Sequence, residues 1–394
     1  MDISGKNAQV WRALGLRVLL VMCTTLVIYT PGLRALVKYG PMHTAWVGLT
    51  VVVVSIALIS LVLLHPRFAV LCRLMARPWP TIILLMLMVG IVTIGYPIAD
   101  GFKSQMRGSD QDDCIIMGGQ KLLRGAHPYV EKTYFGNACS PGLGLLILYL
   151  PFVAAKCYEL GALVSIVLVA LCLWKCQGQP EAGALFIVVM GSNIFFWELA
   201  VVGSDLILLG SGLALLVLLL QNVVACRRWV PLTALAILCG LLASSRVNFL
   251  VLAPLISLFI LAQWPRAALV FLAVSVLVAL GPSVMLYAAN PDNFTPLHLL
   301  IKSQVLLSFY REIVALLSSV VALAAASRLR RHWPLLPWCL FVSFLPSLAA
   351  LALADFLVLR GGDLALWEGA TYLMPLVPLA CVLLVSLRRP LLSP

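Results

Sequence analysis

The run WPTIILLMLMVGIVTIGYPI, residues 79–98, decides the fold. It carries no charged side chain from end to end. About 20 apolar residues are what an α-helix needs to cross the hydrocarbon of a bilayer, where only a helix or a closed barrel can satisfy its own backbone groups. Comparable runs follow on both sides, at about 14–31, 44–64, 157–174, 182–197, 205–224, 229–246, 249–263, 267–288, 306–326, 333–354 and 371–387. Together they predict an all-α, polytopic bundle of about 12 crossings forming one transmembrane domain over 1–394. A further run at 142–155 is too short to cross and contains Pro151, so a short or half-inserted helix is expected there.

Composition agrees with this. Of the 394 residues 62% are hydrophobic and 11% charged, with mean hydropathy +1.06, whereas a soluble domain is about 25% charged. A soluble enzyme, a disordered chain and a secreted disulfide scaffold are excluded. The net charge of +12 does not point to nucleic acid, because the cations stand singly between apolar runs. The eleven cysteines show no metal-binding spacing and read as small hydrophobes. No cleavable leader is evident ahead of the first run, which reads as a retained span.

Charge then orients the bundle. With both termini cytoplasmic, the short loops on that side hold Arg67, Arg73, Arg77, Lys175, Arg227, Arg228, Arg266, Arg328, Arg330, Arg331, Arg388 and Arg389. Of the fifteen acids, all but Asp2 and Glu181 fall on the opposite side. Acids contribute little to orientation, so their one-sided distribution suggests a site at the outer face. The outer segments are 99–141, 198–204, 246–248, 289–305 and 355–370.

The longest of these, 99–141, predicts an amphipathic helix from about Gln111 to Leu123, capped by Ser109 or Asp110 and ended at Arg124-Gly125. With Ile115, Ile116, Leu122 and Leu123 on one face, it is expected to lie on the membrane surface. Asp112 and Asp113 suit the start of such a helix electrostatically. Asp110, beside Gly108 and Ser109 where a span meets water, has less structural excuse. Cys114 and Cys139 share the loop; two unrelated packed thiols are the favoured reading, a disulfide the alternative.

The run Gly108-Ser109-Asp110-Gln111-Asp112-Asp113, then Leu122-Leu123-Arg124-Gly125-x-His127-Pro128-Tyr129, resembles the first outer loop of the GT-C superfamily of integral membrane glycosyltransferases. Asn137-x-x-Ser140-Pro141-x-x-Gly144-Leu145-Leu146 is similar to the block that follows there. Trp197-Glu198, Gly203-Ser204-Asp205, Ser245-Arg246-x-Asn248-Phe249 and Tyr372-Leu373-Met374-Pro375 extend the likeness through most of the chain. The chain departs from the superfamily in having Cys114 where an aromatic is common, Thr371 where an Arg often precedes the late Tyr, and three spans before the loop instead of one.

The resemblance implies a polyprenyl-phosphate sugar donor, an outer-face reaction on a bacterial inner membrane and a lipid or glycan acceptor. Asp110 is then the expected catalytic base, with Asp112, Asp113, His127, Tyr129, Glu198 and Asp205 assisting or reading sugar hydroxyls. Arg246 is the first candidate for the donor phosphate, since a charge at a membrane boundary is costly without a role, and Lys302 and Arg311 come next. Arg246 could equally be a structural partner of Glu198 or Asp205. Asp110 and Asp112 together could hold Mg²⁺ or Mn²⁺, a weak pattern. His298, Trp367 and Glu368 lie in the remaining outer segments. Two other functions stay open: a transporter or flippase for a lipid-linked or small polar solute, and a non-catalytic relative of the enzymes.

Overall fold

Two buried helices form the axis around which the others pack. In a computed structural model, residues 15, 18–39, 44–64, 77–105, 109–177, 180–297, 304–307 and 310–387 are described, and among them there are helices and turns but no strand. In chain order the helices are α1 (Val18–Tyr39), α2 (Thr44–Leu64), α3 (Pro78–Gly101), α4 (Asp113–Leu123), α5 (Leu143–Ala154), α6 (Leu160–Gln177), α7 (Pro180–Gly191) and α8 (Ile194–Val201). They continue as α9 (Leu206–Ala225), α10 (Trp229–Ser245), α11 (Leu252–Leu261), α12 (Pro265–Ala289), α13 (Tyr310–Leu329), α14 (Leu336–Ala354) and α15 (Val377–Ser386).

The segment Glu368–Ser386, which ends in α15, is 83% buried, and α9 is 67% buried. By contrast α3, at 11%, presents Ile83, Met86, Ile94 and Ile98 outward. An apolar helix left that bare is stable only against lipid or another apolar surface.

Among the described residues seven helices are long and apolar enough to cross a membrane, and the pair α7 and α8 makes an eighth if counted as one bent span. The remaining expected crossings fold as shorter apolar helices: Leu160–Lys175, Trp229–Ser245 and Val247–Leu261, with 44–64 apolar over Gly48–Ile59. The short run at 142–155 is the twelve-residue α5, with Pro151 inside it as expected.

The bend between α7 and α8 is 76°. Breaking a helix in an apolar setting strands polar groups, and local side chains take them up. Asn193 caps α8 by accepting from the Phe195 amide at 3.0 Å and donates to the Ile28 carbonyl oxygen at 2.9 Å. The Trp197 indole donates to the Gly191 carbonyl oxygen at 2.7 Å, and the Tyr29 and Ser192 hydroxyls meet at 2.7 Å. The break is therefore pinned to α1.

The loop helix α4 begins at Asp113, two residues later than expected, and neither Ser109 nor Asp110 caps it. Its buried face is Cys114, Ile115, Gly118 and Gly119, packed on Leu146 and Val153 of α5, while Leu123 is exposed. Glycine also lets α5 approach α10: a Cβ on Gly144 would overlap the Leu241 carbonyl oxygen. Backbone cannot swing aside as a side chain can, so Gly144→Ala is expected to destabilise the bundle by about 3 kcal/mol or more. Gly90→Ala, where a Cβ meets open space, should be neutral. Thermal unfolding in detergent checks both; equal midpoints would refute the packing argument.

Candidate functional site

One end of the bundle opens into a cleft of about 600 Å³. It draws on the C-terminal ends of α1, α8 and α10, the start of α9, the loop after α3 and the segment leading into α15. Four residues singled out by their charge in an apolar chain line it: Asp110, Glu198, Asp205 and Arg246.

Asp110 stands in the loop, and both its hydrogen bonds fall on Oδ2. The Thr133 hydroxyl donates at 2.5 Å and the Asn137 amide at 2.8 Å. Thr133 in turn accepts from the Asn137 backbone amide at 3.0 Å, so the three residues form one knot. The knot is closed behind by a disulfide between Cys114 of α4 and Cys139, which corrects the reading of those cysteines as separate packed thiols.

Arg246 occupies extended backbone between α10 and the turn Val247–Phe249. The interruption of the helix turns its guanidinium into the cleft, where one terminal nitrogen donates to Asp205 Oδ2 at 2.8 Å and the other to Ser140 Oγ at 2.6 Å. Asp205 precedes α9 without capping it, its carboxylate being taken by Arg246. Between α8 and α9 the chain reverses at Gly203, whose φ of +69° and close neighbours Tyr96, Tyr158 and Asp112 suit only glycine. The Tyr158 hydroxyl donates to its carbonyl oxygen at 2.7 Å. That tight reversal puts Glu198 and Asp205 on the same cleft.

Asp112 and Asp113 are placed elsewhere. Asp112 is buried and accepts from the Tyr96 hydroxyl at 2.6 Å and the Lys103 ammonium at 2.8 Å. Burial pushes its carboxyl up, while Lys103 and Tyr96 favour the charged form. Asp113 accepts from Lys103 at 2.6 Å and from the Tyr134 amide at 2.8 Å. With both acids committed to tying the loop to the end of α3, the expected pairing of Asp110 with Asp112 around a cation is not assembled. Among the described residues no three His, Cys, Asp or Glu side chains converge as metal ligands.

His127 and Tyr129 also fall outside the cleft lining. His127 Nε2 lies 3.4 Å from the Leu286 carbonyl oxygen, and Tyr129 packs edge-on against Phe294 with its hydroxyl buried and unpartnered. Trp367 is buried, its indole donating to the Ala352 carbonyl oxygen at 2.7 Å, and Glu368 lines the cleft while pairing with Arg360 at 2.6 Å. Lys302 and His298 lie outside the described residues, as does the side chain of Arg311.

The sequence reading passed over Arg34 and Lys38, which line the cleft from the last turns of α1. Gly32 lets α1 close on Ile194 of α8, and Arg34 Nη2 then stands 3.5 Å from Glu198 Oε1. A signal for them existed: on the orientation expected from charge, they are two cations on the acidic side. Thr133, Ser140 and Asn137 supply the neutral hydrogen bonds. No protein-family model, curated protein or solved structure matches the chain.

Proposed function

We propose that the protein is an inverting GT-C-like glycosyltransferase, moving a sugar from a polyprenyl-phosphate donor to a lipid or glycan acceptor at the outer face of a bacterial inner membrane. The observation that carries this reading is the meeting of Asp110 and Arg246, about 136 positions apart in the chain, in a single charged cleft at one end of an apolar bundle. In the reaction, Asp110 Oδ1 takes the proton of the acceptor hydroxyl as its oxygen attacks the anomeric carbon. The bond from that carbon to the phosphate oxygen breaks, and the lipid phosphate leaves with the electron pair. Thr133 and Asn137 hold the carboxylate in place through Oδ2, and cations of the cleft stabilise the departing charge.

The orientation belongs to the same proposal: twelve crossings with both termini cytoplasmic and the cleft outside. Two independent features support it, the cation distribution and the disulfide beside the cleft, a bond that persists in oxidising compartments.

A carrier for a lipid-linked or small polar solute is the second reading. The bent pair α7 and α8 favours it, because discontinuous helices line solute sites in carriers. One experiment separates the two: mass spectrometry of envelope glycans and glycolipids from cells with and without the protein, with purified protein supplied polyprenyl-phosphate sugars and envelope lipids. A sugar-bearing product that appears only with the protein is expected. Identical glycans, together with solute or lipid crossing vesicles that contain the protein, would replace the enzyme by the carrier.

A further inference from the structure

The two arginines of the cleft differ in how far the protein has already used them. Arg246 has both terminal nitrogens engaged, with Asp205 at 2.8 Å and Ser140 at 2.6 Å. Arg34 has only the 3.5 Å approach to Glu198, beyond the usual range of a charge-assisted bond. Its Nε and Nη1 are buried without a hydrogen-bond partner, and so is Glu198 Oε2. Arg34 is 6% exposed. A buried guanidinium normally has its donors satisfied, each omission costing about 1–3 kcal/mol.

The charges near Arg34 sharpen the contrast. Lys38, one helical turn further along α1, is exposed, lines the same cleft and rests over the Tyr39 ring at 5.2 Å. Arg34 and Lys38 stand together against Glu198, whereas Arg246 and Asp205 pair one to one; of the other acids lining the cleft, Glu368 pairs with Arg360, and Asp110 accepts from Thr133 and Asn137. Arg34 and Lys38 also occupy the last turns of a membrane-spanning helix whose Leu19, Met22 and Leu26 are exposed along its length. Head and tail of an amphiphile meet at such a place.

We propose that the Arg34–Lys38 end of the cleft is an anion subsite that holds the phosphate of a membrane lipid, with Glu198 Oε2 accepting from a hydroxyl carried on the same ligand. Arg246 then acts as a positioning residue, keeping Asp205 and Ser140 in register with the loop. This assignment rests on the glycosyltransferase reading for its place in the reaction but not for the binding itself. It moves the phosphate contact from the residue that sequence alone favoured to two residues of α1.

The test uses the full chain in detergent and three probes: labelled farnesyl phosphate, farnesol and inorganic phosphate. Farnesyl phosphate should bind, with farnesol at least about tenfold weaker. Lys38→Gln should weaken farnesyl phosphate about tenfold. The double variant Arg34→Gln/Glu198→Gln, which removes both members of the pair so that no lone charge is buried, should weaken it by a similar or larger factor. Lys121→Gln, which alters a charge outside the cleft paired with Glu131, should leave binding unchanged.

Inorganic phosphate that competes fully with farnesyl phosphate, and is itself lost in the α1 variants, would keep the cation site but overturn the lipid as its source. Wild-type affinity in the Lys38 and Arg34/Glu198 variants would overturn the subsite. Farnesyl phosphate binding that depends on Arg34 and Lys38, in a protein that transfers no sugar, would uphold the subsite while sinking the enzyme reading.

Discussion

Asp110→Asn is expected to lower sugar transfer by about 10²–10⁴-fold, the usual contribution of a positioned general base. Asparagine keeps the size of the side chain and an oxygen able to accept from Thr133 and Asn137, so the loop should keep its shape. What it loses is the capacity to take the acceptor's proton. The variant should elute as wild type in detergent gel filtration and still bind farnesyl phosphate, because the Arg34–Lys38 end is untouched. The loss should therefore fall on the rate of transfer at saturating donor. Undiminished transfer would remove Asp110 as the base, and loss of both folding and donor binding would reduce it to a structural member of the loop.

The largest effect on stability is expected at Arg246. The side chains of Arg246 and Asp205 are 14% and 4% exposed, and they meet at 2.8 Å. Removing one member of a buried pair strands the other charge, which costs about 3–5 kcal/mol. Arg246→Ala should therefore lower the unfolding midpoint markedly. Arg246→Gln combined with Asp205→Asn, which removes both charges and keeps polar partners at both positions, should recover much of the loss. Thermal unfolding in one detergent decides it: a double variant no more stable than the single would show that packing around Ser140 or α9, and not the unpaired carboxylate, sets the cost.

How much of this was legible beforehand depended on how a residue announces itself. Charges are scarce in an apolar chain, so Asp110, Glu198, Asp205 and Arg246 stood out, and all four line the cleft. The length of the run at 142–155 marked α5 as short, since a crossing needs about 20 residues, and α5 has twelve. Other features depended on partners remote in the chain. Asn193 sits within an apolar run and breaks it by reaching Ile28, 165 positions away. Nearer partners can be as hard to read: Asp112 and Asp113 read as helix-starting or assisting acids until Lys103, nine and ten positions earlier, is seen to hold both. No local rule pairs Cys114 with Cys139. Arg34 and Lys38 escaped because the short segment after the first apolar run read as a connection, whereas the helix continues to Tyr39 and carries them into the cleft.

The bond between Cys114 and Cys139 ties the loop beside the cleft to the redox state of the compartment in which it forms. The stretch it closes contains Thr133 and Asn137, the two donors that hold Asp110. Insertion of the apolar helices needs neither sulfur oxidised, so closing the loop around Asp110 is a requirement separate from building the bundle. A chain synthesised in a reducing lysate is expected to lack this bond. Oxidant is therefore an ingredient of any preparation intended for assay, and burial of both sulfurs should shield the bond, once formed, from added reductant.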